Sequence, residues 1–286
     1  MPKTYNELYI ETRSALRELG IEACALEARL LVGCASGKRM EELLRDLQLY
    51  SSEEVERRLE ELTVRRRMGE PAAYVTGRWE FYGLEVRVTP DTLIPRSDTE
   101  PLVESALEKL DAREGPFRLL DLCTGTGCVG LALAKTLPTA RVVLSDLSPA
   151  ALAVARENAE TLGLSDRVEC VELDVTRPPD GGLGSFDLLT ANPPYIRTDE
   201  LAALDWSVQG YEPALALDGG PDGLRFYRAI LDNTLPLLRR GGWLLCEVGE
   251  DQAEDVGMLM LRSGLRGIGT AKDTAGVERV VFGRKQ

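Results

Sequence analysis

The chain contains no histidine, which removes Ser-His-Asp triads, histidine general bases and imidazole metal ligands at once. Its six cysteines, Cys24, Cys34, Cys123, Cys128, Cys170 and Cys246, stand singly. Without a Cys-x-x-Cys pair there is neither the seed of a zinc site nor a redox dithiol, so reduced thiols and no metal are expected. No apolar run approaches the roughly 20 residues that a membrane span needs. The opening stretch passes directly into an acidic amphipathic helical pattern without an apolar leader, and a cytoplasmic protein is expected. Positive charge is also scarce: 34 Lys and Arg face 47 Asp and Glu, a net charge of −13. That balance opposes the counterion release behind most nucleic-acid binding and suits a basic protein partner. There is no internal repeat or low-complexity tract.

With 286 residues, 44% hydrophobic and 28% charged, the chain can form one large α/β domain or a medium domain with a smaller companion. Residues 1–75 show helical spacing and almost no strand signal. Leu8, Leu16 and Leu19, then Leu26, Leu30 and Leu31, mark successive apolar faces. Ser51, with Glu54 three residues on, predicts a capping box opening a helix that runs through Val55, Leu59 and Leu62 to Gly69 and Pro71. Arg65, Arg66 and Arg67 near its end read as a solvated face complementing the helix dipole. Aromatic and β-branched residues around Gly83 predict a hairpin over 79–88. A helix signal over 99–110 is followed by short apolar strands alternating with helices, at 118–122, 142–145, 168–173, 186–191 and 243–248. Such alternation predicts a mostly parallel sheet. The segments 265–268 and 277–282 leave little room for a crossover helix and predict a closing antiparallel hairpin. The division that results is a helical domain over 1–75, a hairpin connector over 76–95 and an α/β domain over 96–286.

After the strand at 118–122 comes Asp121-Leu-Cys-Thr-Gly-Thr-Gly-Cys-Val-Gly130, and Asp146 ends the next strand. Glycines at 125, 127 and 130 let the backbone pass close to a ligand, and an acid about twenty residues on can grip a ribose diol. This much fits NAD as well as S-adenosyl-L-methionine, and the same glycines would serve a bare strand-to-helix turn. Asp121 tips the balance, because a carboxylate at the strand tip would disfavour a pyrophosphate and favour a cationic methionine moiety. Asp174, with its neighbour Val175, ends the third strand where an adenine amine and ring face would lie. Asp174 reads equally as a solvated loop acid.

The most specific signal is Asn192-Pro193-Pro194-Tyr195, after the apolar run 186–191. It falls at the carboxyl end of a strand, where doubly wound sheets keep their reactive sites. A conjugated nitrogen is a poor nucleophile and needs positioning more than a strong base. The Asn192 side-chain oxygen and the Pro193 carbonyl can accept its two N–H hydrogens and turn its lone pair toward a methyl donor. Two prolines stiffen those acceptors, and Tyr195 can offer a ring face to developing positive charge.

With these residues in place the sequence resembles the S-adenosyl-L-methionine methyltransferases that carry an Asn-Pro-Pro-Tyr motif and, more narrowly, the release factor glutamine methyltransferases. The resemblance covers nearly the whole chain. It includes Gly69-Glu-Pro-Ala-Ala-Tyr74, Glu80-Phe-Tyr-Gly-Leu84, Leu93-Ile-Pro-Arg96, Asp98-Thr-Glu100, Tyr211-Glu-Pro213, Ala216-Leu-Asp-Gly-Gly220 and Glu247-Val-Gly249. It implies a Rossmann-like, doubly wound, seven-stranded class I methyltransferase sheet with a small N-terminal helical bundle. It also implies that Asp121, Cys123, Thr124, Gly125, Thr126, Gly127, Asp146, Asp174, Val175 and Asn192 hold S-adenosyl-L-methionine. Asn192, Pro193, Pro194 and Tyr195 would hold the substrate glutamine, with Asn192, Pro193 and Tyr195 carrying the catalysis. The helical domain would dock the release factor, whose Gly-Gly-Gln loop enters the pocket of a monomer. The sequence departs from the pattern at Ser97, where a proline is usual, at Cys123, where glycine is common, and at Val175, often aromatic. Arg96 and Glu247 are left open between pocket residues and structural ion pairs.

Three other readings compete. A nucleic-acid amino-methyltransferase would also act on a flat, conjugated amine, but it needs a phosphate-binding surface that the charge opposes. An NAD-dependent dehydrogenase would use the glycines and Asp146 and leave Asn192-Pro-Pro-Tyr195 without a task. A binding module without turnover would hold the cofactor and never transfer the methyl group.

Overall fold

The structure, a computed structural model, describes residues 2–110, 116–179 and 181–286. Two compact units divide the chain, one comprising Met1–Arg78 with Trp206–Tyr211 and the other Trp79–Asp205 with Glu212–Gln286. Among the described residues no helix is long and apolar enough to cross a membrane.

The first unit is built from α1 (Tyr5–Glu18), α2 (Cys24–Ser36), α3 (Met40–Arg45), α4 (Glu53–Arg67) and α5 (Ala72–Thr76). Leu8, Leu16, Leu31, Val32, Leu43 and Leu59 form its core. The buried stripe of α2 is Cys24, Ala28, Leu31, Val32 and Ala35, spaced so that all fall on one helical face. Leu26 lies on the other side and, like Leu19, is about half exposed, so the apolar faces expected through those two leucines are corrected. The cap of α4 is also one residue later than expected. Ser52 accepts from the Val55 N–H at 3.3 Å, whereas the Ser51 hydroxyl is committed to the Lys3 carbonyl at 2.8 Å and Glu56 Oε1 at 3.0 Å. The basic last turn is only partly a solvated face. Arg67 is exposed, but Arg66 pairs with Glu27 at 2.6 Å across the bundle, and Arg65 donates to the Tyr74 and Val75 carbonyls at 3.2 Å each. The short helix α6 (Trp206–Gln209) belongs with these helices. A β-carbon on Gly69 would lie 3.1 Å from the Trp206 ring, and the Tyr211 hydroxyl donates to the Met68 carbonyl at 3.0 Å.

In the second unit, β1 (Arg78–Phe81) and β2 (Leu84–Arg87) form a two-stranded hairpin. Its two turn residues, Tyr82 and Gly83, both have positive φ, 50° and 70°, as the twist of a tight hairpin demands. The main sheet contains β3 (Arg118–Leu122), β4 (Arg141–Asp146), β5 (Val168–Glu172), β6 (Phe186–Ala191), β7 (Leu238–Glu247), β8 (Leu265–Lys272) and β9 (Glu278–Lys285). Its order is β5-β4-β3-β6-β7-β9-β8, parallel through β7, with β9 antiparallel to both its neighbours. This is the seven-stranded doubly wound class expected. Strand β6 is buried along its whole length, Asp187 and Thr190 included, since helices cover both faces of a central parallel strand. The covering helices are α7 (Glu100–Leu110), α8 (Cys128–Thr136), α9 (Pro149–Thr161), α10 (Arg225–Ala229) and α11 (Ala253–Arg262). The chain runs outward from β3 to β5 and returns to β6 on the other side of β3. That reversal opens a crevice beyond the carboxyl ends of β3 and β6, the usual ligand site of such sheets.

Candidate active site

The turn leaving β3 reverses within a few residues. Cys123, Gly125 and Gly127 have φ of 54°, 54° and 83°, a conformation that costs a side-chain-bearing residue such as Cys123 about 1 kcal/mol. Gly130 answers a different need. A β-carbon there would sit 2.2 Å from a Leu144 methyl and 3.2 Å from Asp121 Cβ, so its absence lets α8 close on the sheet. Asp121 organises the turn. Its Oδ2 accepts from the Thr124 hydroxyl and from the Gly130 N–H at 3.2 Å, and its Oδ1 accepts from the Thr190 hydroxyl at 2.7 Å. Burial pushes its carboxyl up to about 6, against the pull of these hydrogen bonds.

Asp146 ends β4 with Oδ2 on the Gly125 N–H and Oδ1 on the Ser148 N–H, both at 2.9 Å. Burial raises its pKa too. Asp174 faces more water. Its Oδ1 accepts from the Thr176 hydroxyl and N–H at 2.6 and 2.9 Å, and these bonds lower its pKa. One cleft, open to solvent, collects Asp121, Cys123, Thr124, Gly125, Thr126, Asp146, Asp174, Val175, Asn192 and Pro194. Three of the expected residues do not line it: Gly127, which caps α8, Pro193, which is buried, and Tyr195. The cleft adds residues that the sequence reading did not single out, among them Thr99, Leu215 and Phe226. Thr99 stands inside the Asp98-Thr-Glu100 segment, which is where a signal for it existed. Phe226 shares the cleft wall with Leu173 and Val175 and supplies an aromatic group that position 175 lacks.

At the end of β6, Asn192 Nδ2 donates to Thr99 Oγ1 at 3.3 Å. The Tyr195 ring packs against the sheet core, its hydroxyl donates to Glu247 Oε1 at 3.3 Å, and its carbonyl accepts from Gln252 Nε2 at 2.9 Å. The close fit continues at Gly219, where a β-carbon would lie 2.7 Å from Tyr195 backbone atoms. Arg96, left open between pocket residue and structural ion pair, is both: it lines the cleft, and its guanidinium pairs with the buried Glu212, whose other oxygen accepts from the Ile94 N–H at 3.2 Å. That pair fastens the cleft-lining segment 93–96.

Comparison with known proteins now separates the readings. Residues 102–207 match the family described as Methyltransferase small domain, and residues 7–77 match PrmC N-terminal domain. A release factor glutamine methyltransferase of Geobacter sulfurreducens is 42% identical over 96% of this chain and 94% of its own. The chain belongs to the release factor glutamine methyltransferase family. A second member of the family, from Caulobacter vibrioides, is 36% identical over 100% of this chain and 98% of its own. Among solved structures, the hMettl16 catalytic domain superposes with a TM-score of 0.55 at 18% identity over 82% of each chain. A methyltransferase from Pyrococcus furiosus gives 0.50 at 17%, over 72% of this chain and 90% of its own. At such identities these two likenesses speak to the fold.

The cofactor of this family of methyltransferases is S-adenosyl-L-methionine, and the residues present fit it. Asp121, Asp146 and Asp174 face one cleft, and Asp146 further raises the pKa of Asp121. Concentrated negative charge of this kind would repel a pyrophosphate and is relieved by a sulfonium cation. A β-carbon on Gly125 would meet no atom within 4 Å, so the loop backbone is open to close approach by a ligand.

Proposed function

We propose that this chain transfers a methyl group to the side-chain amide nitrogen of the glutamine in the Gly-Gly-Gln segment of a peptide chain release factor. The observation that carries the reading is that Asn192 and Pro194 of the Asn192-Pro-Pro-Tyr195 loop, at the sheet's reversal point, line one cleft with the acids at the ends of β3, β4 and β5. Asp146 receives the ribose hydroxyls, Asp174 and Val175 meet the adenine, and residues Cys123, Thr124, Gly125 and Thr126 bring backbone against the methionine part, with Asp121 holding that turn and Gly127 capping the helix behind it. When bound, S-adenosyl-L-methionine supplies an electrophilic methyl group.

What the chain contributes is orientation. Asn192 Oδ1 and the Pro193 carbonyl accept the two amide hydrogens of the glutamine, so its lone pair points along the line of transfer. Because Asn192 Nδ2 is engaged with Thr99, the acceptor end of the amide is left for the substrate. Pro194 forms part of the wall, and Tyr195, held by its hydroxyl and carbonyl, shapes the substrate side of the loop. The helical unit docks the body of the release factor. The enzyme acts as a monomer in the cytoplasm, where translation terminates, and the net charge of −13 weighs against a nucleic-acid acceptor. A release factor whose Gly-Gly-Gln glutamine is replaced by alanine should take up no radiolabelled methyl group, while the unaltered factor is labelled; equal labelling of both would overturn the assignment.

A further inference from the structure

Glu247 stands at the carboxyl end of β7, 3% exposed, and does not line the cleft. Its Oε1 accepts from the Tyr195 hydroxyl at 3.3 Å, and its buried Oε2 has no hydrogen-bond partner. The Thr99 hydroxyl also acts on this carboxyl, favouring its charged form. Arg279, whose charge acts on this carboxyl, is paired instead with Asp273 at 2.9 Å and Asp98 at 3.7 Å. A carboxyl buried without an ion pair is costly unless hydroxyl donors satisfy it, and here one donor, the Tyr195 hydroxyl, comes from the glutamine-holding loop, while Oε2 is left for the hydroxyl of Thr99.

We propose that Glu247 and Thr99 are positioning residues that set the polarity of Asn192. A carboxylate only accepts, so the Thr99 hydroxyl proton turns toward Glu247. Thr99 Oγ1 then presents a lone pair to Asn192 Nδ2, the 3.3 Å contact observed. The amide is thereby locked with Oδ1 toward the substrate. A flipped Asn192 would offer N–H groups to the substrate N–H groups and could not hold them. Tyr195, bonded to the same carboxyl, ties the far end of the loop to the same anchor. The inference rests on the reading that Asn192 Oδ1 receives the glutamine amide.

The test is steady-state kinetics on an intact release factor with the full-length chain and the variants Thr99→Val, Thr99→Ser, Glu247→Gln and Asn192→Ala. Cofactor affinity is measured separately by calorimetry. Thr99→Val keeps the shape and deletes the hydroxyl on which the relay depends. It should lower kcat at least tenfold with cofactor affinity little changed, and Thr99→Ser, which keeps the hydroxyl, should restore most of the loss. The parent kcat should rise with pH through the neutral range as the carboxyl ionises, pushed by burial to about 7, and the rise should vanish in Glu247→Gln. The other titratable or charged groups around that carboxyl are Asp98, Arg279, Tyr195, Tyr227 and Cys128, all present in both proteins. Full kcat in Thr99→Val, or a Thr99→Ser no better than Thr99→Val, overturns the relay. If Asn192→Ala is inactive while Thr99→Val is normal, the relay fails and the role of Asn192 survives; if Asn192→Ala is fully active, the reading of the site itself fails. Should Glu247→Gln not fold, the two Thr99 variants decide the matter alone.

Discussion

The carboxyl groups around the glycine turn differ in what reaches them, and their expected contributions differ accordingly. Asp146 is largely buried, with each oxygen already taking one backbone N–H, so its remaining lone pairs face the cleft in a setting where charge counts strongly. Asp174 is better hydrated and keeps Oδ1 occupied by Thr176. Asp146→Asn should therefore weaken S-adenosyl-L-methionine binding at least tenfold, about 1.4 kcal/mol, and Asp174→Asn by less. Calorimetric titration of both variants checks the order, and equal losses would contradict it. Glu247 makes a prediction about stability. Its pKa is about 7 against an ordinary 4.5, because burial penalises the charge, so the folded chain holds the proton more tightly than the unfolded one. Its contribution is complete below pH 4.5 and is lost as the pH rises through 7. Glu247→Gln carries no such loss and should gain on the parent between pH 5 and 8 by roughly 3 kcal/mol, from about 1.36 kcal/mol per pKa unit. Urea unfolding at the two pH values measures the gap; a gap that does not change with pH would contradict the assignment. At this scale the sequence showed Asn192 and Asp146 because their motifs are contiguous or regularly spaced. It could not show that Thr99 meets Asn192 or that Tyr195 meets Glu247, since positions 99, 192, 195 and 247 are gathered only by the strand order.

Among the elements, the hairpin is fastened to the cofactor turn by one side chain. The buried Asn158, on α9, donates to the Thr126 carbonyl at 2.9 Å and the Arg87 carbonyl at 3.0 Å, and accepts from the Arg87 N–H at 2.7 Å. Asn158→Ala would strand those backbone groups, and the expected destabilisation is about 3 kcal/mol with weaker cofactor binding. Chemical unfolding and calorimetry together check this; an unchanged midpoint would show the bonds to be replaceable. The element pattern was readable wherever periodicity was strong, as in β3 and β6, whose bounds agree with the apolar runs. It failed where polar residues continue an element. Strand β7 begins at Leu238 rather than near Trp243 because Leu238 pairs with Phe186 across an irregular register, and Arg239, Arg240, Gly241 and Gly242 carry no strand signature. The hairpin β8–β9 likewise runs longer than its apolar cores, because backbone pairing persists through Thr270, Ala271 and Lys272.

For the whole molecule, the acidic surface and the absence of histidine bear on mechanism as much as any motif. Without histidine no imidazole can act as general base, which suits a mechanism built on placing a weak nucleophile, and a net charge of −13 favours a protein acceptor over nucleic acid. The central claim is that the acceptor is one glutamine amide held by Asn192. Its most direct test is peptide mass spectrometry of a purified release factor after incubation with the enzyme and S-adenosyl-L-methionine, with the Asn192→Ala variant and an RNA substrate run in parallel. A single added methyl on the Gly-Gly-Gln glutamine, absent with the folded Asn192→Ala variant and accompanied by unmodified RNA, is the predicted result; methylated RNA beside an untouched release factor would contradict it.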